Sequence, residues 1–116
     1  EDETKRMHIV NEDGIEYLRE SNKKFDLIIN DAFTGKKEQR RDEESIQIIH
    51  DALNEKGIYI VNVPTALSGP FAKKGNAFRK LLQNHFKHTV LLATQEEIQP
   101  FEKQNVLMIS SDSELL

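Results

Sequence analysis

Two carboxylates, Asp13 and Asp31, follow short apolar segments of the chain at similar positions. The segments Met7–Val10 and Phe25–Asp31 are typical of strands, and the second is apolar enough to be buried on both faces of a parallel sheet. In an open α/β sheet, ligands bind just beyond the carboxyl ends of the strands. We therefore expect both acids to lie at a ligand-binding edge.

A carboxylate at such an edge is partly desolvated, so it requires hydrogen bonds or a cationic partner. An amine or a sulfonium ligand would serve as that partner. Asp31 is also placed to take a proton from an attacking ammonium group, which is the work of a general base. The neighbours of the two acids extend the candidate site, and they are Asn11, Glu12, Gly14, Asn30, Ala32 and Phe33.

Each acid also has a structural interpretation that needs no ligand. Asp13 lies where it can cap a helix over Gly14–Glu20, since Asp is among the preferred N-cap residues. Asp31 can be the polar end of its strand. Asn62 ends a later strand, and its amide can either hydrogen-bond a substrate or hold the loop that follows.

The elements that must position these residues alternate between strands and helices. Apolar periodicity and turn residues set their bounds. The charged stretch Thr34–Glu44 is predicted to be a mobile loop, and the glycines and proline of Thr65–Gly75 predict another. The predicted strands are Met7–Val10, Phe25–Asp31, Ile58–Val63, His88–Ala93 and Asn105–Ser110, and the predicted helices are Gly14–Glu20, Asp42–Glu55 (ended by Gly57) and Asn76–Phe86.

This order predicts an α/β fold with a Rossmann-like, open, mostly parallel sheet. The last two strands are joined by a polar stretch that contains Pro100 and has no helical period. Because a parallel crossover normally needs a helix, these two strands are predicted to form an antiparallel pair. A chain of 116 residues is long enough for one domain, which we place at residues 1–116.

Composition argues against several classes of function. The net charge of −4, from 20 acidic and 16 basic residues, provides no basic field for nucleic acid. The chain has no cysteine and its four histidines have no supporting ligand pattern, so we expect no metal site and a reducing, cytoplasmic location. No apolar run approaches the roughly 18 residues that a membrane span requires. The start at Glu1 leads us to expect a piece of a longer protein.

Three motifs in order carry a resemblance to a known family. They are 13–18 (DGIEYL), 25–33 (FDLIINDAF) and 53–63 (LNEKGIYIVNV). Together they resemble the second half of the spermidine synthases, which have the class I S-adenosylmethionine-dependent methyltransferase fold. The resemblance implies a transferase that uses S-adenosylmethionine or decarboxylated S-adenosylmethionine and moves an aminopropyl or methyl group to an amine or similar acceptor.

The resemblance also implies roles for the candidate residues. Asp13 and Gly14 would contact the adenine of the donor, with Asn30 as a further cofactor-binding residue. Asp31 would bind and deprotonate the acceptor amine, which makes it the catalytic candidate. Phe33 and Asn62 are the remaining substrate-binding candidates, and the charged segment 34–44 would act as a gate.

The chain also departs from that family. Members that make polyamines usually carry a second acid and a proline after the strand, whereas residues 31–35 here read DAFTG. The glycine-rich turn that opens this fold is not in the sequence. We therefore expect a domain truncated on its N-terminal side, inactive alone and homo-oligomeric through its exposed strand edge. The alternative is a non-catalytic, methyltransferase-like module for dimerisation or interaction.

Overall fold

The computed structural model describes residues 7–10, 18–20, 23–30 and 42–115. Within these ranges strands and helices alternate in the predicted order, and residues 18–20 are also helical. The elements are β1 (Met7–Val10), β2 (Phe25–Asn30), α1 (Glu43–Ala52), β3 (Leu53–Thr65), a short 3-10 helix (Pro70–Ala72), α2 (Lys73–His85), β4 (His88–Ala93) and β5 (Gln104–Ser111).

The five strands form one sheet in the order β1-β2-β3-β5-β4. β1 pairs with β2 and β2 with β3 in parallel, whereas β5 is antiparallel to both of its neighbours. β4 therefore runs in the same direction as the first three strands. The α/β class, the mostly parallel sheet and the antiparallel pair at the C-terminal end are confirmed. Val10 and Asn30 are direct partners, so the strands that precede Asp13 and Asp31 are neighbours.

Both helices pack on one face of the sheet, which we call the helix face. The residues of β3 and β5 that point to it are buried, and they alternate with residues that point away. Leu18 joins the same core, so the helical residues 18–20 also lie on this side. The core contains Ile28, Tyr59, Val61 and Met108 from the strands and Ile46, Ile49, Ala52, Phe78 and Leu82 from the helices.

The opposite side of the sheet, which we call the open face, is also apolar. The register aligns Ile29, Ile60, Ile109 and Val90 in one row across four strands. These four side chains are only half-buried, and the buried apolar side chains of α1 and α2 all belong to the core on the other side. Leu27, Ile58, Asn62, Leu92 and Leu107 belong to the open face as well.

The first long helix is shorter than its sequence predicts. It ends at Ala52 instead of Glu55, and Asp42 caps it by accepting a hydrogen bond from Ser45 N at 2.8 Å. β3 begins directly after the helix, and its pairing with β2 is irregular there, since residues 25 to 27 of β2 face residues 53 to 58 of β3. A Cβ on Gly57 would lie 2.8 Å from Leu53 Cδ2. Gly57 therefore belongs to β3 and does not end the helix.

The second long helix begins earlier than predicted, at Lys73 instead of Asn76, and Gly75 lies inside it. The predicted loop Thr65–Gly75 was wrong at that end. A Cβ on Gly75 would come within 2.3 Å of Thr65 Oγ1, so the glycine allows the first turn of α2 to contact the end of β3. The sequence pattern shows a glycine but not this contact.

β3 is also longer than the predicted strand Ile58–Val63, because it continues through Pro64 to Thr65. A proline inside a sheet normally leaves a hydrogen bond unmade. Here the pairing with β2 stops at Val61, so Pro64 faces only Asn105 of β5. The missing N–H therefore leaves no carbonyl of β2 unpaired.

An ion pair joins the end of α1 to the chain after β5. His50 Nε2 lies 2.6 Å from Asp112 Oδ2, and the Lys87 N–H donates to Asp112 Oδ1 at 3.0 Å. Burial opposes ionisation of this carboxyl. The hydrogen bonds from Lys87 and His50 and the nearby positive charge outweigh that effect and hold the pKa of Asp112 below its ordinary value.

Replacement of Gly75 tests the contact between α2 and β3. In an ordinary helix interior Gly→Ala stabilises by about 1 kcal/mol. For Gly75→Ala we expect the opposite sign, a loss of roughly 1–3 kcal/mol in the free energy of unfolding, because the new methyl overlaps Thr65. Urea denaturation measures the difference. Asn76→Ala, at the exposed next position, is the control, and a stabilised Gly75→Ala protein would contradict the contact.

Replacement of Asp112 tests the ion pair. A folded-state pKa below the unfolded one means that the ionised group stabilises the fold above pH about 4, and that this contribution is lost as the pH falls through the folded pKa. We expect Asp112→Asn to lower stability by about 1 kcal/mol at pH 7 and by less at pH 3. Denaturation at several pH values measures this. Asp51→Asn, 64% exposed and 3.6 Å from His50, is the control, and a pH-independent loss in Asp112→Asn would argue against the ion pair.

Candidate functional site at the carboxyl edge

The candidate site lies at the edge of the sheet where β1, β2 and β3 end, which we call the carboxyl edge. β2 ends at Asn30, opposite Val61, whereas β3 continues for four more residues to Thr65. At about 3.3 Å per residue this is an extension of roughly 13 Å. β3 and the loop after it therefore extend beyond the end of β2.

Asn30 is held below this edge by a buried hydrogen bond. Its Nδ2 donates to the Tyr59 hydroxyl at 3.0 Å, and the two residues are 3% and 0% exposed. The Tyr59 ring stacks on Phe86 with centroids 6.2 Å apart. Asn30 Oδ1 is buried and has no hydrogen-bond partner among the described residues. A buried acceptor without a partner is costly, so this oxygen suits a donor from a ligand or from another part of the chain.

Asn62 lies on the other side of the sheet. Asn30 is the direct partner of Val61, and successive side chains of a strand point to opposite faces, so Asn62 belongs to the open face. The structure therefore does not bring the amides of Asn30 and Asn62 together. Asn62 Oδ1 is also buried without a hydrogen-bond partner in the described part of the chain. Its role in substrate binding stays a prediction.

The other candidate residues lie outside the described residues. These are Asp13 and Gly14 after β1, Asp31 and Phe33 after β2, and most of the predicted gate. Their roles, and that of Asn30 in binding a cofactor, stay predictions. The register does pair Val10 with Asn30, so the chain leaves the two strands at adjacent points of the carboxyl edge.

Two loops at this edge were predicted from the sequence as loops but not as parts of a candidate site. They are residues 66–72, after β3, and residues 94–103, before β5. Leu67 N and Ser68 N both donate to the Pro100 carbonyl, at 2.7 and 3.1 Å, and Gln104 Nε2 donates to the carbonyls of Gln99 and Glu102. These bonds join the loops into one surface.

That surface exposes large apolar side chains. Leu67, Phe71 and Phe101 are 38%, 57% and 55% exposed. The Lys103 ammonium lies over the Phe71 ring, 5.6 Å from its centroid. The sequence carries a signal for this surface, since Phe71 and Phe101 each directly follow a proline in a loop between two elements.

The described residues offer no second candidate site. A depression of about 530 Å³ lies at the opposite edge, beside Lys87, His88 and Glu114, and none of the candidate residues lines it. Among the described residues, no group of three or more His, Cys, Asp or Glu is arranged to hold a metal. In the same ranges, no helix has the length and apolar character that crossing a membrane requires.

Comparison with known proteins decides the family. The sequence profile of the spermine/spermidine synthase domain matches residues 1–68, more than half of the chain and the part that carries Asp13, Asp31 and Asn62. The chain belongs to this family. The recognition from three motifs is thereby confirmed, and the match includes the ends of β1, β2 and β3. No curated protein matches the sequence.

Solved structures show the same fold. A probable spermidine synthase from Corynebacterium glutamicum has a TM-score of 0.74 at 19% identity, over 90% of this chain and 37% of its own. A spermidine synthase in complex with the transition-state analogue AdoDATO has a TM-score of 0.62 at 22% identity, over 86% and 32%. Phosphoethanolamine N-methyltransferase 1 from Haemonchus contortus, with phosphoethanolamine and S-adenosylhomocysteine, has a TM-score of 0.54 at 13% identity, over 86% and 23%.

These similarities establish the class I methyltransferase-like fold of the chain. The chain spans about a third of the length of the two spermidine synthases and less of the methyltransferase. At identities below 25% the likeness concerns the fold and not the substrate, since one fold hosts many reactions. The ligand of this chain has to be inferred from the residues of this chain.

A double-mutant cycle tests the Asn30–Tyr59 hydrogen bond that fixes the end of β2. We expect Tyr59→Phe to lower the free energy of unfolding by about 1–3 kcal/mol, because it leaves Asn30 Nδ2 buried without this acceptor. Combination with Asn30→Ala should cost about 1 kcal/mol less than the sum of the two single changes. Urea denaturation of the four proteins measures this coupling, and strictly additive losses would show that the bond contributes nothing.

Proposed function

We propose that this chain is the C-terminal part of a transferase domain that moves an aminopropyl or methyl group to an amine or similar acceptor. The donor in this proposal is S-adenosylmethionine or its decarboxylated form. The observation that carries it is the adjacent exit of β1 and β2 at the carboxyl edge, in a member of the spermine/spermidine synthase domain family. The solved spermidine synthase complex with AdoDATO supports a donor of this type.

The donor side of the site would be formed by Asp13, Gly14 and Asn30. Asn30 Oδ1, which has no hydrogen-bond partner among the described residues, is a buried acceptor that fits an N–H donor such as the exocyclic amine of adenine. An acid and a glycine after β1 provide a second acceptor and room for close approach of the ring. The donor supplies a carbon made electrophilic by the adjacent sulfonium.

The acceptor side would be formed by Asp31, Phe33 and Asn62. The Asp31 carboxylate binds the acceptor ammonium and takes one of its protons, which frees the nitrogen lone pair for attack. A carbon–nitrogen bond forms as the carbon–sulfur bond breaks, and the sulfur keeps the electron pair as a thioether. Phe33 and Asn62 orient the acceptor.

The open face supports the proposal that this chain is one part of a larger unit. A parallel sheet with aliphatic side chains on both faces normally has both faces covered. Here the row Ile29, Ile60, Ile109 and Val90 is half-buried, without a described helix above it. We propose that further polypeptide covers this face in the whole cytoplasmic protein, and that this chain alone self-associates through it.

The same face favours one alternative. A methyltransferase-like module without activity would use the open face as a dimerisation or interaction surface. The sequence DAFTG at residues 31–35, which lacks the second acid and the proline of polyamine-making members, agrees with that alternative. The two functions differ in what they require of Asp31. Catalysis needs its carboxylate, whereas an interaction module does not.

Asp31→Asn in the full-length protein separates the two. We expect kcat/KM for transfer to an amine to fall by about 10²–10⁴-fold, because the amide cannot take the proton. Binding of S-adenosylhomocysteine or methylthioadenosine, measured by calorimetry, should not change, since donor contacts remain.

Asp51→Asn, at an exposed position near the opposite edge, is the matched control and should retain full activity. A wild-type protein that neither binds a thioether product nor transfers a group to any amine would contradict the proposal and favour the interaction module.

A further inference from the structure

Strand β4 has a free edge on the side that faces away from β5. The sheet order places β4 last, and no strand in the described part of the chain pairs with this side. An edge strand presents backbone N–H and C=O groups that another strand can bind, so proteins usually protect such an edge with charged residues, proline or a bulge. The free edge of β4 can be checked for each of these protections.

None of these protections is present along β4. Residues 88–94 read HTVLLAT, without Asp, Glu, Lys, Arg or Pro, in a chain of which 31% is charged. The pairing of β4 with β5 also runs from end to end without a register shift. Leu92 is 52% exposed, and Val90 and Leu91 beside it are only half-buried. The free edge is therefore apolar and open to pairing.

A second copy of this chain offers a matching edge. Two β4 strands related by a twofold axis perpendicular to the sheet run antiparallel, and directly opposed side chains then lie on the same face. With the axis at Leu91, each Val90 lies opposite Leu92 of the second copy, and the two Leu91 side chains oppose each other. This register gives the exposed Leu92 an apolar partner, whereas an axis at Val90 would place it opposite His88.

The charges at the two ends of β4 favour the same arrangement. Lys87 directly precedes the strand, Glu96 and Glu97 follow it, and all three residues are exposed. In an antiparallel pair the start of one strand meets the end of the other, so Lys87 lies near the two acids of the second copy. A parallel pair would bring like charges together at both ends, which is unfavourable.

Space for a second strand is present at the start of β4. The depression of about 530 Å³ is lined by both Thr89 and Val90, and the end of α2 and residues 114–115 complete its lining. Successive side chains of a strand point to opposite faces, so a depression that touches both residues lies beside the strand's free edge. In the register centred on Leu91, the end of the second copy's β4 lies along this depression.

We propose that β4 pairs with β4 of a second copy in an antiparallel arrangement centred on Leu91, which joins the two sheets into one. This interface does not depend on the proposed function, and it is distinct from the open face. Because β4 runs in the same direction as β1, β2 and β3, the carboxyl edges of the two copies point in opposite directions. The pairing therefore keeps the two candidate sites apart.

Single cysteines test the register in the full-length protein. Leu91→Cys places two sulfurs on directly opposed residues, whose Cβ atoms lie about 5 Å apart, so small adjustments allow a disulfide. Leu92→Cys is the matched control, because the two copies of residue 92 lie diagonally, about 7–8 Å apart. After mild oxidation we expect about fivefold more covalent dimer for Leu91→Cys than for Leu92→Cys, measured on non-reducing gels against the wild type.

A charge on the edge tests the pairing without a new bond. The full-length wild type should have the mass of two copies in light scattering. Leu92→Lys should raise the Kd of this dimer by about tenfold or more, because a lysine on an edge strand opposes pairing. Since Leu92 is more than half exposed, the variant should fold normally. Asn76→Lys, at an exposed position on α2, adds the same charge elsewhere and should leave the Kd unchanged.

Two results would overturn this interface. One is a full-length protein that is monomeric in light scattering. The other is a dimer in which Leu91→Cys forms no more covalent product than Leu92→Cys, as association through the open face would give, since Leu91 points to the helix face. Neither result bears on the proposed transferase, which is tested by the loss of transfer in Asp31→Asn.

Discussion

The parallel pairing of β2 with β3 is the constraint on which the rest of the structure depends. Asn30 lies opposite Val61, and the buried hydrogen bond from its amide to Tyr59 fixes that register. The register sets where β2 ends relative to β3, and therefore how far β3 extends beyond the end of β2 at the candidate site. If β2 slipped by one residue along β3, its side chains would move to the opposite faces of the sheet. An aliphatic side chain would then replace Asn30 beside Tyr59.

The two faces of the sheet have different roles because of this alternation. The helix face is closed by α1 and α2, and it holds Asn30 and Tyr59 in a dry environment where a hydrogen bond is strong. The open face carries a row of aliphatic side chains of the kind that parallel sheets bury. Most of the residues proposed to bind donor and acceptor follow β1 and β2 in the sequence, and these two strands end at the carboxyl edge.

Much of this fold could be predicted from the sequence, and the exceptions share one physical cause. β1 and β4 have the predicted bounds, because each is a short apolar segment between polar residues. Gly57 and Gly75 were read as ends of elements, whereas each allows a close contact, with Leu53 and with Thr65. Asn30 and Asn62 were both placed at the edge, but only the register of β2 on β3 shows that they point to opposite faces. Contacts and strand pairing in the folded chain set these features, and patterns of residue type along the sequence do not record them.

The central claim is that Asp13 and Asp31 flank one ligand at the carboxyl edge. The most direct test is a crystal structure of the full-length protein with S-adenosylhomocysteine or methylthioadenosine. We expect the adenine beside Asp13 and Asn30, and the Asp31 carboxylate on the acceptor side of the sulfur. Nucleoside bound elsewhere, for example in the depression beside Lys87 and His88, or the two carboxylates at separate places on the surface, would contradict it.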